Sequence, residues 1–370
     1  MVQTDKEEEG KQECIFYFYS MTVEYIIVGL GLAGISFCEQ LEKHGKSFMV
    51  VSDDSEQASL VAGGLYNPVI LKRFTLAWKA DEQMKLALPF YTALEKKLGV
   101  KLDYKVPVCR RFTSIEEQNN WFEASDKDGL KEFLSLRIKE NRNAFIDAPF
   151  GMGEVLHTGR VDTKKLIGAY EGYLKEKGIL RRESFNFDHL DTADGSIVYK
   201  NIVAQKVVFA EGFGLKNNPF FNYLPLNGTK GELLTIHAPS LKEHGVIKSS
   251  VFIIPLKNDL YRIGATYKWK DKTSIPTESS KKELLDKLKT FLRCDFNVVD
   301  HVAGVRPTVA DRRPLVGRHP KQENLFVLNG LGSRGVLIAP FASKQLYGYI
   351  EKSESIDAEM DIKRFRHKYC

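Results

Sequence analysis

The stretch Tyr25-Ile26-Ile27-Val28-Gly29-Leu30-Gly31-Leu32-Ala33-Gly34 joins a short hydrophobic run to the glycine pattern G-x-G-x-x-G. The run of β-branched and aromatic residues predicts a buried strand that stops at Gly29. The first glycine permits a tight turn, the second lets the backbone approach a pyrophosphate, and the third lets a helix pack closely on the strand. The helix would present its N-terminal N–H groups to the phosphates. The stretch therefore predicts a nucleotide site after the first strand.

The residues that follow complete a βαβ unit. Apolar residues from Ile35 to Leu41 recur at helical spacing, and Phe48 to Val51 is a second hydrophobic run. In such units an acidic residue about 20 positions further on usually binds the ribose hydroxyls. Here that position holds Ser52, with Asp53 next to it. Either side chain could bind the ribose, and Asp53 could instead be a solvated turn residue.

The composition is that of an ordinary globular protein. Of the 370 residues, 43 % are hydrophobic and 28 % are charged, which predicts two closely associated domains. The net charge of +6 suits an anionic cofactor or substrate and does not by itself indicate nucleic acid. The five cysteines are far apart and form no C-x-x-C pair. We therefore predict neither a metal site nor disulfides, and expect a reduced, cytoplasmic setting.

The N-terminal residues do not resemble a targeting segment. No apolar stretch of the chain reaches the roughly 18 residues that a membrane span needs. Acidic Glu7 to Glu9 stand where a secretory signal would be basic. We expect no membrane partner, and we predict that residues 1–20 are a disordered extension, with the folded part beginning at Met21.

Three later segments have clear local patterns. Lys164 to Glu176 predicts a helix, and Lys281 to Leu292 predicts an amphipathic packing helix. Ser249 to Pro255 and Leu260 to Ala265 predict a β-hairpin around Asn258-Asp259.

Four further segments, rich in glycine or proline, follow the first motif. They are Val61–Pro68, Val207–Gly212, Leu224-Pro225 with Lys230–Leu233, and Ala303–Pro307 with Asp311, Pro314, Gly317 and the glycine loop Gly330–Pro340. Together with the first motif they resemble, in order, the D-amino-acid oxidase and glycine oxidase superfamily of flavoenzymes. The resemblance spans residues 24–350. Lys230-Gly231-Glu232 departs from the Arg-Gly-Gln that is usual at this point of the family.

The resemblance implies an α/β and α+β fold, with a Rossmann-like FAD-binding domain and a substrate domain that contains an antiparallel sheet. It predicts the FAD-binding domain in residues 21–80, 155–222 and 302–370, and the substrate domain in residues 81–154 and 223–301. FAD is expected to bind non-covalently, because no cysteine falls where members tether it. The cofactor contacts that we predict are Gly29, Gly31, Leu32, Ala33, Gly34, Ser52, Asp53, Ala62, Gly63, Gly64, Leu65, Phe187, Glu211, Gly212, Gly330, Gly332, Ser333, Arg334, Gly335 and Val336.

The last glycine loop opens a predicted helix. By resemblance, the loop and the helix start lie at the pyrimidine edge of the flavin, where N–H donors and the helix dipole suit the negative charge of the reduced ring. Pro340 is predicted in the first turn of this helix, where its missing N–H is tolerated.

Arg306 is the residue that the resemblance assigns to the substrate. In amino-acid-oxidising members the arginine of Gly-x-Arg-Pro binds the substrate carboxylate, and a guanidinium suits such bidentate binding. The alternative is a structural salt bridge, for example with Asp311. Tyr267 and Arg334 are further candidates for the catalytic site, as is Tyr66 should Arg306 prove structural.

No side chain stands out as a catalytic base, and none is required if a neutral amine gives its α-hydrogen to the flavin as hydride. His157 and His301 lie near family motifs, but a lone histidine is more often a packed or surface residue. Tyr261, Tyr267 and Trp269 alternate in a way that could place aromatic rings on the substrate side of a sheet. Packing in the core or on the surface explains them equally well.

These observations favour an enzyme that oxidises the carbon–nitrogen bond of a small amino acid or amine, with oxygen as the electron acceptor. A second hypothesis is an oxidase for the carboxymethylaminomethyl group of the tRNA wobble uridine, since Gly332-Ser333-Arg334-Gly335 resembles the oxidase part of that bifunctional enzyme. A third is a flavin dehydrogenase with another acceptor, and a fourth is a non-catalytic FAD-binding protein. The expected partner is a small-molecule substrate, with tRNA left open. The sequence predicts no oligomeric state.

Overall fold

The computed structural model describes residues 21–53, 55, 58–192 and 195–369; the extension predicted for residues 1–20 lies outside them. The α-helices of the described residues are α1 (Leu32–Lys43), α2 (Ala58–Val61), α3 (Ala80–Leu98), α4 (Ile115–Ser125), α5 (Thr163–Glu176), α6 (Glu278–Lys289) and α7 (Gly335–Lys352). Short 3₁₀ helices include Phe187–His189, Gly212–Asn217 and Ile362–Lys368. The strands are β1 (Met21–Val28), β2 (Phe48–Ser52), β3 (Leu65–Tyr66), β4 (Val69–Ile70), β5 (Thr75–Leu76), β6 (Asp103–Tyr104), β7 (Val108–Arg111), β8 (Leu134–Lys139), β9 (Met152–Val155), β10 (Gly159–Val161), β11 (Leu180–Arg182), β12 (Leu190–Asp191), β13 (Ile197–Tyr199), β14 (Ile202–Phe209), β15 (Thr229–His237), β16 (Val246–Lys248), β17 (Phe252–Pro255), β18 (Leu260–Gly264), β19 (Asn297–Arg306), β20 (Leu315–Arg318) and β21 (Leu325–Asn329).

The first sheet contains the predicted βαβ unit. Strands β11, β2, β1, β14 and β21 run parallel in this order, and β13, β12 and β20 extend the sheet with antiparallel pairings. Tyr25 and Ile27 of β1 belong to the core that includes α1 and α7, while Ile26 and Val28 belong to the core on the other face. Burial on both faces explains why β1 is a continuous hydrophobic run.

The second sheet is mostly antiparallel and has the strand order β19-β15-β18-β17-β16-β7-β9-β8. The predicted hairpin is confirmed as β17 and β18, and its turn residues Asn258 and Asp259 have φ angles of 58° and 56°. Two consecutive positive φ angles are typical of the tight turns that match strand twist. Helix α6 covers one face of this sheet, with Leu284 and Leu288 in the same core cluster as Ile263.

The two sheets draw on alternating parts of the chain. The first takes strands from residues 21–52, 180–209 and 315–329, and the second from residues 108–155 and 229–306. A Rossmann-like domain and a domain with an antiparallel sheet are therefore present, as predicted. The residue limits of the two domains stay a prediction, and β19 runs across the limit proposed at 301/302. Within the described ranges, no helix is both long and apolar enough to cross a membrane.

The prediction that Pro340 lies in the first turn of its helix is wrong. Helix α7 begins at Gly335, so Pro340 is inside it. A proline in this place leaves the carbonyl four residues earlier, that of Val336, without its helical donor. The hydroxyl of buried Tyr91 in α3 donates to that carbonyl at 2.8 Å. This side chain replaces the missing backbone donor and lets the helix continue.

Candidate active site

A cavity of about 760 Å³ lies between the two sheets. Its lining comes from the turn after β1, the segment 58–72, the last glycine loop and one face of the second sheet. Residues that follow strands of the first sheet, including Asp53 and Glu211, also line the cavity.

The glycine turn after β1 has no room for side chains. A Cβ on Gly29 would lie 2.6 Å from the Ala210 carbonyl oxygen, and one on Gly34 would lie 2.0 Å from the Gly29 oxygen. The backbone of Gly31, the N-cap of α1, carries no side-chain cap. Leu32 and Ala33 of the first turn line the cavity, and the N–H of Leu32 donates to Ser59 Oγ at 3.3 Å. A helix start in this place suits an anionic group.

Ser52 and Asp53 have different surroundings. Ser52 Oγ is buried and accepts a hydrogen bond from Leu30 N at 3.1 Å, so it supports the glycine turn. The Asp53 carboxylate accepts from Ser55 Oγ at 2.6 Å and from the Ser184 hydroxyl. Burial raises the pKa of Asp53, but these hydrogen bonds outweigh burial and hold the pKa below its ordinary value. Asp53 is therefore an anion at neutral pH that lines the cavity.

The segment Ala62–Leu65 is a thin layer beside the cavity. Gly64 has a φ of +70°, and a Cβ there would lie 1.9 Å from the Val161 carbonyl oxygen. A Cβ on Gly63 would lie 2.9 Å from Ile254 Cδ1 of the second sheet. Glycine is thus required at position 64, whereas at position 63 the end of the Ile254 side chain could shift to admit a Cβ.

The last glycine loop brings a second helix start to the same cavity. Gly332, Ser333, Gly335 and Val336 line the cavity, and α7 has no side-chain cap at its N-terminus. Gly330 does not line it: a Cβ there would lie 2.7 Å from Val309, so this glycine serves the packing of the loop.

Arg306 projects from the end of β19 across Gly231 of the neighbouring strand. Its Nη1 donates to the Thr266 carbonyl at 3.3 Å, and its guanidinium lies 4.5 Å from the centre of the Tyr267 ring. Burial lowers its pKa from the ordinary value. No carboxylate of the described residues pairs with it, because Asp311 binds Arg364 at 2.9 Å instead. The structural salt bridge considered above is absent between these residues.

Arg334 is a second half-buried cation of the cavity. It donates to the Asn67 carbonyl at 2.6 Å and to the Val69 carbonyl at 3.4 Å. Burial lowers its pKa as well, while the nearby Tyr267 hydroxyl acts in the opposite direction. Arg334 therefore anchors the last loop to the segment 67–69 and contributes positive charge to the same region as Arg306.

The structure separates the other aromatic and histidine candidates. Tyr267 lines the cavity, whereas Tyr261 is buried in the core on the opposite side of the sheet and Trp269 does not reach the cavity. His157 lies against Phe133 and His301 against Glu232, both outside the cavity. Tyr66 is also outside, with its hydroxyl donating to Asp103 at 2.8 Å.

Most of the predicted site residues thus meet around one cavity. Those that line it are Gly29, Gly31, Leu32, Ala33, Ser52, Asp53, Ala62, Gly63, Gly64, Leu65, Phe187, Glu211, Gly212, Tyr267, Arg306, Gly332, Ser333, Arg334, Gly335 and Val336. Gly34 and Gly330 do not, and act through packing. The lining residues that sequence reasoning missed include Ser59, Lys248 and Phe252. Ser59 Oγ accepts from Leu32 N at 3.3 Å. No motif marks these three positions, since only the pairing of strands and the path of the chain bring them to the cavity.

Comparison with known families decides the identity. The model of the FAD dependent oxidoreductase (DAO) family matches residues 24–347. The chain belongs to this family. The two helix starts and the half-buried cations that line the cavity fit the pyrophosphate and the flavin of FAD.

Several relatives of this FAD-dependent oxidoreductase are known. It is 26 % identical to glycine oxidase of Bacillus subtilis over 52 % of its own length and 56 % of that protein. It is 23 % identical to the tRNA 5-methylaminomethyl-2-thiouridine biosynthesis bifunctional protein MnmC of Burkholderia mallei, over 92 % of its own length and 60 % of that protein. The chain thus spans little more than half the length of these two curated relatives.

Solved structures share the fold. Glycine oxidase from Bacillus cereus superimposes with a TM-score of 0.73 at 19 % identity, covering 90 % of this chain and 96 % of that chain. Iminodiacetate oxidase from Chelativorans sp. BNC1 superimposes with a TM-score of 0.74 at 19 % identity, covering 92 % and 98 %.

Proposed function

We propose that this FAD-dependent oxidoreductase oxidises the carbon–nitrogen bond of a small amino acid whose carboxylate binds Arg306. The observation that carries the proposal is a half-buried guanidinium in the cavity with no carboxylate partner among the described residues. A buried cation is costly unless it is paired, so the substrate's carboxylate is the natural partner.

The geometry around Arg306 suits a carboxylate. A guanidinium has five N–H donors, and in the described part of the chain only the Thr266 carbonyl accepts from it, at 3.3 Å. The remaining donors are free to form the paired hydrogen bonds that a carboxylate accepts. The Tyr267 ring, 4.5 Å away, covers one side of the guanidinium and limits its movement.

The cavity holds no histidine among the described residues, and its carboxylates belong to the parts of the chain around the first sheet. FAD, when bound, would accept two electrons together with the α-hydrogen of the substrate. The role of the chain is then to orient the substrate through Arg306 and to keep the amine in an environment of positive charge. The positive charge of Arg306 and Arg334 would favour release of the ammonium proton to water, so that the neutral amine reacts without a side-chain base.

A screen of substrates tests this function. The purified holoenzyme is mixed under nitrogen with a panel of amino acids, N-alkyl amino acids and amines of the same size without a carboxylate. We expect carboxylate-bearing members to bleach the flavin, and air to restore the colour if oxygen is the acceptor. Bleaching by the amines alone would contradict the role given to Arg306.

A tRNA-modifying oxidase is the second candidate, and the similarity to MnmC over 92 % of this chain favours it. A carboxymethylamino group also carries a carboxylate next to an amine, so Arg306 would serve both substrates. The two functions separate experimentally: flavin bleaching by free amino acids supports the first, and bleaching only by a tRNA that bears the modified uridine supports the second.

A further inference from the structure

Lys248 ends strand β16 on the face of the second sheet that lines the cavity. It pairs with Phe252 of β17, which pairs with Gly264 of β18, which pairs with Leu233 of β15. Side chains of directly paired residues lie on one face of a sheet. All four residues line the cavity, as does Arg306 on the same face of β19. Lys248 and Arg306 are therefore two cations on one wall.

Lys248 has no acidic partner among the described residues. Its Nζ donates to the Ser249 carbonyl at 2.6 Å and lies 4.8 Å from the centre of the Phe252 ring. The neighbouring cation, Arg110 of β7, is paired with it in register and binds Glu117 through Nε at 2.7 Å. Of these two adjacent cations, only Arg110 has a carboxylate partner among the described residues.

The surroundings of Lys248 favour an incoming anion. Burial, together with the charges of Arg110 and Lys287, lowers the pKa of Lys248 to about 8. An ammonium that has lost water and faces like charges gains more from an anion than an exposed lysine does. One of the three N–H donors of Lys248 binds the Ser249 carbonyl, and the other two are available to an oxyanion.

We propose that Lys248 binds a second anionic group of the substrate, at the end remote from the oxidised carbon–nitrogen bond. The inference rests on the proposed function and names its substrate class: an amino acid that also carries a distal oxyanion. Four strand steps of about 4.8 Å separate β16 from β19. Arg306 also lies four residues along β19 from Val302, which is the β19 residue in the cross-strand row of Lys248. A substrate that contacts both cations must therefore be an extended dianion.

A ladder of N-substituted glycines tests the inference on the holoenzyme. N-(ω-carboxyalkyl)glycines with two, four, six and eight methylenes are compared with phosphonates and uncharged amides of the same lengths. The readout is the ratio of kcat/KM for each charged member to that of its amide. We expect a ratio of about ten or more at one length, since a charged hydrogen bond contributes about 1.5 to 3 kcal/mol. The terminal group that gives the larger ratio distinguishes a carboxylate from a phosphate-type ligand.

Variants connect the ratio to Lys248. Lys248→Met should bring it close to one, and Lys248→Arg should keep most of it. Lys72→Met, which removes an exposed cation that also lines the cavity, should leave the ratio as in the wild type. If the amides bleach the flavin, the proposed function stands. In that case a wild-type ratio near one at every length, or an unchanged ratio in Lys248→Met, would overturn the inference. If no member of the ladder and no simple amino acid bleaches the flavin, the proposed function fails and the inference fails with it.

Discussion

The Tyr91 hydroxyl donates to the Val336 carbonyl at 2.8 Å, which is the carbonyl that Pro340 leaves without a donor in helix α7. Both groups are buried, and Val336 also lines the cavity. The contact joins α3, at the start of the predicted substrate segment, to the helix start that faces the cofactor cavity. One side chain thus compensates a proline and fixes the start of α7.

Tyr91→Phe should destabilise the protein. The substitution keeps the ring but leaves a buried carbonyl without a partner, which costs about 1 to 3 kcal/mol. A lower apparent Tm of the holoenzyme checks this. Tyr173→Phe is the matched control, because its acceptor Glu42 keeps Lys97 and Lys177 as partners. Equal losses in the two variants would contradict the account of Tyr91.

Gly231→Ala should displace Arg306 without removing it. A Cβ on Gly231 would lie 2.0 Å from Arg306 Nη2, and the guanidinium is the end of a flexible side chain that can shift. We expect substrate affinity to fall at least about tenfold while FAD content stays the same, because a charged hydrogen bond is lost. Anaerobic titration of flavin reduction measures this.

The control for Gly231→Ala is Gly172→Ala in α5, where a Cβ would meet no atom within 4 Å. This variant should bind substrate normally and gain slight stability, since alanine favours a helix. If Gly231→Ala binds as tightly as the wild type, the position of the guanidinium is not important for substrate.

Stability should depend on Glu351 at acidic pH. Burial raises the pKa of Glu351, but hydrogen bonds from Lys46, Tyr25 and Lys206 outweigh burial and lower the pKa to about 2. A carboxyl with a depressed folded pKa contributes stability above its unfolded value near 4.3, and loses it as pH falls through the folded value. The loss between about pH 5 and pH 2 should be about 2 kcal/mol, which allows for solvent screening of a partly exposed group.

Urea unfolding at a series of pH values checks this. The dependence should be weaker in Glu351→Gln by the amount given above, and unchanged in Glu354→Gln, which alters an exposed carboxylate just after the same helix. The same slope in Glu351→Gln and the wild type would show that the three-donor arrangement does not contribute.

FAD should be released by acid precipitation. The segments that line the cavity contain no cysteine among the described residues, and the three cysteines Cys38, Cys109 and Cys294 are buried elsewhere. We expect colourless pellets and a yellow supernatant whose chromatographic retention matches FAD. Colour that stays with the pellet would indicate a covalent bond to another side chain.

The sequence predicted the elements whose local pattern agrees with their place in the fold. Strand β1 is a continuous hydrophobic run because it is buried on both faces, and the hairpin turn at Asn258-Asp259 uses residue types that tolerate positive φ. Helix α3 was not predicted, because Pro89 interrupts its pattern. A proline usually ends a helix, and only packing in the folded chain shows that this one continues.

Within the candidate site, the glycine motifs could be predicted from the sequence because their positions require a residue without a side chain. The third glycine of the first motif, Gly34, was assigned to packing, and the structure places it against Gly29. The place of Lys248 in the cavity could not be predicted, since a lysine at a strand end has no distinctive sequence pattern. Its role follows from the cross-strand row with Phe252 and from the pairing of Glu117 with Arg110.

The central claim is that Arg306 holds the substrate carboxylate, and anaerobic flavin reduction by the best amino acid of the panel tests it most directly. Arg306→Ala should bind that substrate about ten- to hundredfold more weakly, with FAD content unchanged, and Arg306→Lys should recover only part of the affinity because an ammonium lacks the planar fork. Arg293→Ala, which removes an exposed arginine paired with Asp147, should behave as the wild type. Loss of flavin or unfolding in Arg306→Ala would make the residue structural, and normal oxidation by that variant would contradict the claim outright.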